Sequence, residues 1–182
     1  MKDSTGHWQT ISTKEIADCR VFRVREDVAE RDGLEGTFYV IENPDWVNVV
    51  AITKDEQVVM IEQFRHGIHD LILEIPGGMV DEGEEPAAAA ARELLEETGY
   101  SSSEWVFLGS SLPNPALQSN AIHHYLAIGC EKTAEPSFDE HESIATKLYP
   151  LMAVPEMIKS GQISHSLVVA AFQYFSFHWF KV

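Results

Sequence analysis

Basic residues are scarce in this chain. Its 182 residues hold 13 Lys and Arg against 29 Asp and Glu, a formal net charge of −16, so nothing draws it as a whole toward DNA, RNA or an anionic membrane. Cysteine is nearly absent. Cys19 and Cys130 match no metal or redox spacing and suit a reduced, intracellular protein rather than a disulfide framework. No apolar run approaches the ~20 residues of a membrane span, and MKDSTGHWQT lacks the apolar core of a signal peptide. The expectation is a soluble cytoplasmic protein. Internal repeats and low-complexity tracts are missing too, apart from the alanine run 87–91.

What is present is enough apolar material, 45% of residues, to build a sizeable core in one ordinary domain. The acids are unevenly placed: between Gly67 and Glu142 there are 15 acids and two bases, Arg92 and Lys132, while the flanks are near balance. The middle of the chain therefore requires carboxylates.

Up to about Pro44 the pattern predicts a hairpin, Cys19–Arg25 answered by Thr37–Ile41 across an Asp32-Gly33 turn. This makes residues 1–44 a small N-terminal subdomain and 45–182 the main domain. Trp46–Thr53, Val58–Phe64 and Leu71–Ile75 read as strands, the last stopped by Pro76-Gly77-Gly78. Pro86 and Gly99 bracket a helix as a first-position proline and a C′ glycine. Further strands are expected at 105–108, 122–130 and 143–149, and helices at 155–160 and 166–180. Together they predict an α/β protein, a mixed sheet sandwiched by helices.

At 100° per residue, Glu93, Glu96 and Glu97 share one face of the 86–99 helix, with Ala87, Ala91, Leu94 and Leu95 on the opposite arc. Like charges three and four residues apart repel by a few tenths of a kcal/mol, and acids in a last turn face the negative end of the helix dipole at a cost of roughly 0.3–1 kcal/mol each. A solvated face would carry lysines more cheaply. Only Arg92, four residues before Glu96, offers local relief, so a bound divalent cation is the natural compensation. An all-oxygen donor set points to Mg²⁺ or Mn²⁺ rather than zinc. His123 and His124 are neighbours on a strand and face opposite ways; no chemistry is assigned to them.

With the loop before it, Gly78-MVDEG-Glu84-EPAAAAA-Arg92-Glu93-Leu94-Leu95-Glu96-Glu97-Thr98-Gly99-Tyr100 resembles the signature of the Nudix hydrolases, G-x5-E-x7-R-E-U-x-E-E-x-G-U, with U bulky and apolar. All seven fixed positions agree; by chance, at residue frequencies of about 7%, that is on the order of 10⁻⁸ per starting position. The resemblance implies the α/β/α sandwich of that family and cleavage of a nucleoside diphosphate linked to another moiety. It implies that Glu93, Glu96, Glu97 and the carbonyl of Gly77 hold the metal, that Arg92 orients the glutamates, and that Glu84 ties the loop to the helix.

Flanking residues resemble the ADP-ribose and nucleoside-diphosphate-sugar pyrophosphatases: Glu62-Gln63-Phe64-Arg65, Glu74-Ile75-Pro76-Gly77-Gly78, and Pro115 fifteen residues after Tyr100. Asn114-Pro115-Ala116 departs from the Ser-Pro-Gly commoner in ADP-ribose enzymes. Arg65 is a candidate phosphate or sugar clamp, Trp46 a candidate base-stacking ring, and Glu74 a candidate hydrogen-bond acceptor, each with a packing or ion-pairing alternative. The catalytic base is sought in Asp139-Glu140-His141-Glu142, which resembles the loop that supplies a glutamate in those enzymes. Glu142, next to the following strand, is preferred to Glu140. ADP-ribose is the leading substrate, and homodimerisation through the N-terminal subdomain is expected. A triphosphate-sanitising enzyme would be shorter, lacking the N-terminal segment of about 45 residues. A non-catalytic nucleotide-sugar sensor would have lost box glutamates, and the isomerase branch of the fold needs a catalytic cysteine that has no evident place here.

Overall fold

A computed structural model describes residues 6–138 and 143–180. It divides into two units: the chain to Pro44 with Leu112–Asn120, and Asp45–Ser111 with Ala121 onward.

The first unit is an antiparallel sheet of β1 (Gln9–Asp18), β2 (Arg23–Arg31) and β3 (Leu34–Glu42), in that order. The β2–β3 hairpin turns at Asp32-Gly33, both with positive φ (55° and 80°), which suits the twist of the flanking strands. The sequence pattern predicts two strands here and the structure has three. Strand β1 is exposed along nearly its whole length, so its polar QTISTKEIAD carries no hydrophobic alternation; its ladder to β2 holds it, with Thr13 Oγ1 donating to Asp27 at 2.8 Å. The expected strand at 19–25 starts later, at Arg23, because Cys19 and Phe22 close a turn (Cys19 N–H to Phe22 O, 2.9 Å). Leu112–Asn120, assigned to the main domain by the sequence division at 44/45, falls with this unit. Its chain runs parallel beside β3, with Ile41 N–H donating to Leu117 O at 2.7 Å.

The second unit is an α/β/α sandwich. Its strands are β4 (Trp46–Thr53), β5 (Gln57–Arg65), β6 (Asp70–Glu74), β7 (Gly77–Met79), β8 (Tyr100–Ser101), β9 (Glu104–Ser111), β10 (Ile122–Lys132) and β11 (Ile144–Pro150). The path runs β11-β5-β4-β10-β8, with β6 on β5, β7 on β4 and β9 on β10. Among the described strands of this unit, only β4 and β10 pair in parallel. As a central strand, β4 is buried on both faces. Val47, Val49 and Ala51 meet Ala89, Ala90 and Leu94 of α1 (Pro86–Thr98), while Val50 and Ile52 meet Val168, Phe172 and Phe175 of α3 (Ser166–Phe180), with Met157 of α2 (Val154–Lys159) beside them. Each such aliphatic side chain, fully buried, contributes roughly 1.5–3 kcal/mol.

Helix α1 starts on Pro86 and ends on Gly99, whose left-handed φ of 74° lets its N–H reach Leu95 O. A Cβ on Gly99 would lie 2.1 Å from Ala134 O. The helix does not present the faces that the wheel predicts. Ala89, Ala90, Leu94, Glu97 and Thr98 are buried, whereas Ala87, Ala91 and Leu95 are exposed. Small alanines bring α1 tightly onto the sheet, and that contact turns the carboxylates toward the sheet's rim rather than away from the core.

Candidate active site

Glu74 ends β6, and after Ile75-Pro76 the chain enters β7, where Gly77 pairs with Asn48 and Gly78 with Val47 of β4. Neither position has room for a side chain. A Cβ on Gly77 would stand 2.3 Å from Val47 O, and one on Gly78 2.3 Å from Glu93 Oε1. Here the backbone runs directly beneath the last turns of α1.

Arg92 organises that helix face. Its Nε and Nη2 donate to the two oxygens of Glu84 (3.0 and 2.8 Å), Nη1 donates to Glu93 Oε1 (2.8 Å) and Glu96 Oε2 (3.2 Å), and Nη2 also reaches Met79 O (3.0 Å). The bidentate bond with Arg92 holds the Glu84 carboxyl below its usual range, and the carboxylates, Glu84 first, push the guanidinium further above its own. Glu84 also accepts from Asp81 N–H at 3.1 Å, which fastens the loop to the helix. Glu97, 4% exposed, accepts Gly77 N–H at 2.9 Å.

These groups line one cleft of about 820 Å³. Gly77, Arg92, Glu93, Glu96 and Glu97 form one part of its wall, and Trp46, Arg65 and Glu74 another. The cleft thus collects every described candidate of the second unit. Arg65 and Glu74 pair with each other: Nε and Nη2 donate to Oε1 and Oε2 at 2.7 and 2.9 Å, and Glu74 is 4% exposed. Both Glu74 oxygens therefore accept from Arg65 in this structure. Pro115 belongs to the 112–120 segment of the first unit. Glu140 and Glu142 lie outside the described residues.

Among the described residues no three His, Cys, Asp or Glu side chains stand as a closed cation-binding group; Arg92 and the Gly77 N–H hold the carboxylates instead. The donor chemistry nonetheless fits a hard divalent ion, since Glu93, Glu96 and Glu97 bring carboxylate oxygens to this part of the cleft and the missing side chains of Gly77 and Gly78 let the backbone come up against them.

Three lining residues carried no sequence signal: Asn48, Ser137 and His165. Ser137 N–H donates to Glu96 O at 2.8 Å, which ties the segment before residue 139 to the carboxylate-bearing turn. Asn48 joins a buried network: its Nδ2 donates to Leu167 O (3.1 Å), its Oδ1 accepts from His124 Nδ1 (2.7 Å), and His124 Nε2 accepts from Ser111 Oγ (2.9 Å). Burial pushes His124 down to about 4, so it stays neutral. His123, facing the other way, bonds Asp45 (3.0 Å) and Ser110 (2.8 Å).

A family model of the NUDIX domain matches residues 43–172. Over 168 residues, 91% of each chain, the protein is 34% identical to a methanol dehydrogenase activator of Bacillus methanolicus. It is 29% identical, over the same shares, to an ADP-ribose pyrophosphatase of Bacillus subtilis. The crystal structure of an ADP compounds hydrolase superposes with a TM-score of 0.86 over 98% of this chain and 96% of that one, at 22% identity, which establishes a shared fold.

Proposed function

The chain belongs to the NUDIX family and is a Nudix hydrolase, and on that premise we propose that it hydrolyses the pyrophosphate bond of a nucleoside diphosphate sugar, with ADP-ribose plus water giving AMP plus ribose 5-phosphate. One observation carries this reading. The box carboxylates with Arg92, and the Arg65–Glu74 pair with Trp46, line the same cleft, whose volume suits a ligand of two linked nucleotide-sized halves.

The cofactor is Mg²⁺ or Mn²⁺, held by Glu93, Glu96, Glu97 and the Gly77 carbonyl; when bound, it neutralises phosphate charge and acidifies a water. Arg92 fixes the rotamers of Glu93 and Glu96, and Gly77 N–H fixes Glu97. Glu74 sets the planar fork of Arg65 against the diphosphate, Trp46 stacks on the base, and Pro115 shapes the substrate loop. The attacking water is deprotonated or oriented by Glu142, with Glu140 as second choice; metal-bound glutamates are poor bases. We place the protein in the cytoplasm as a homodimer; the polar ladder of β1 and the small size of the 1–44 subdomain support a dimer built on that sheet, and light scattering should give twice the 20.4 kDa of the chain.

The test is a screen with Mg²⁺ against ADP-ribose, other ADP- and GDP-sugars, dinucleotides and nucleoside triphosphates. Sugar diphosphates should lead in kcat/KM. Triphosphates leading by a wide margin would replace this reading with a sanitising role.

A further inference from the structure

His165 is the N-cap of α3. Its carbonyl accepts Val168 and Val169 N–H at 3.0 Å each, and its ring Nδ1 accepts Leu167 N–H at 3.1 Å. Side-chain capping of this kind is the work of Asn, Asp, Ser or Thr, whose short side chains reach the N2 amide without excess atoms. An imidazole does the same service with a larger ring that must project elsewhere, and here the ring borders the cleft with 29% of its side chain exposed.

The cap also settles the tautomer. Because Nδ1 is the acceptor for a backbone amide, the neutral ring carries its proton on Nε2. That N–H stands 3.9 Å from Glu74 Oε2, too far for a hydrogen bond, and Glu74 already accepts two bonds from Arg65. The Nε2–H therefore makes no hydrogen bond to a described residue, in a cleft where Arg65 offsets the charge of Glu74. The first turn of α3, with Leu167 and Val168 also on the cleft wall, adds the positive end of a helix dipole. With the Arg65–Glu74 pair close to net neutral, the helix end favours a negative acceptor at this point.

We infer that His165 is a further substrate-binding residue of the cleft, donating from Nε2 to a non-bridging phosphate oxygen of the nucleoside diphosphate beside Arg65. This rests on the proposed pyrophosphatase reading. The residue thus has two separable jobs, one for each ring nitrogen, and amide side chains separate them. His165→Asn retains an acceptor at the place of Nδ1 and stops short of Nε2; His165→Gln places an amide N–H near Nε2 and loses the short cap.

The experiment measures melting temperature, KM and kcat for ADP-ribose with Mg²⁺, and Kd for its α,β-methylene analogue, in the wild type and both variants. His165→Asn should melt with the wild type yet raise KM and Kd about tenfold, the loss of one bond to a charged acceptor, with kcat little changed. His165→Gln should melt lower and keep KM and Kd near the wild-type values. Wild-type KM and Kd in His165→Asn, or melting temperature and affinity moving together in both variants, would make His165 a cap only and overturn the inference. Failure of the wild type to cleave any sugar diphosphate would instead sink the pyrophosphatase reading, and the inference with it.

Discussion

Helices α1 and α3 cover opposite faces of one sheet and follow opposite rules. In α3, SLVVAAFQYFSFHWF, burial accounts for the sequence: Val168, Ala171, Phe172 and Phe175 enter the core and no acid interrupts the helix. In α1 burial accounts for Ala89, Ala90 and Leu94 but not for Glu93, Glu96 and Glu97, which crowd the C-terminal end of the helix, where the last turn holds no base. Their placement opposes the helix dipole, and Glu97 is buried as well. A side chain that stability does not explain, held in place by Arg92 and a glycine amide, marks the function. On the proposed reading, the α3 face serves packing and the α1 rim serves what binds there.

Substitutions in the two helices should therefore separate activity from stability. The largest effect is expected at Glu97: Glu97→Gln keeps an oxygen for the Gly77 N–H but removes the charge, so kcat for ADP-ribose should drop by about 10³-fold or more, with near-UV circular dichroism unchanged. Phe172→Ala should do the reverse. Urea titration should record a loss of roughly 3–5 kcal/mol, while kcat per folded molecule stays close to wild type.

A smaller effect sharpens the same comparison through pH. Under α3, His124 takes up its proton only near 4 when folded but near 6.5 when unfolded, so the unfolded chain binds more protons between these values. Stability is then complete above pH 6.5 and falls as the pH drops toward 4, by on the order of 3 kcal/mol. Under α1, Glu84 has its pKa depressed by Arg92, so its contribution is complete above the ordinary 4.5 and is lost only below it. Stability curves from pH 7.5 to 4 should fall in the wild type and flatten in His124→Gln; an unchanged slope in the variant would remove His124 as the cause.

Legibility in the sequence follows the kind of signal. Pro86 and Gly99 marked both ends of α1, and the apolar runs of β4, β5 and β6 marked the sheet, because these are local features. Strand β1 was missed since an exposed polar strand has no alternation to read, and β7 since Gly-Gly-Met has almost no side chains. The wheel placed the three carboxylates on one face but could not say which arc meets the sheet; that depends on how closely alanines let α1 approach. The Arg65–Glu74 pair stood among the alternatives, and it is the fold of β6 back along β5 that brings the two side chains together. His165 lies a hundred residues from Arg65, and no local pattern announces that α3 begins at the cleft.

The proposed metal role requires that the carboxylate rim of α1 be strained alone and relieved by a divalent cation. It is tested most directly by thermal melts of wild type and Glu97→Gln, each with EDTA and with millimolar Mg²⁺. The account predicts that Mg²⁺ raises the wild-type melting temperature by about 3 °C or more, that it raises the variant's less, and that the metal-free variant melts no lower than the metal-free wild type. A metal-free Glu97→Gln that melts well below the wild type, with equal Mg²⁺ shifts in both, would show that Glu97 serves stability and contradict the account.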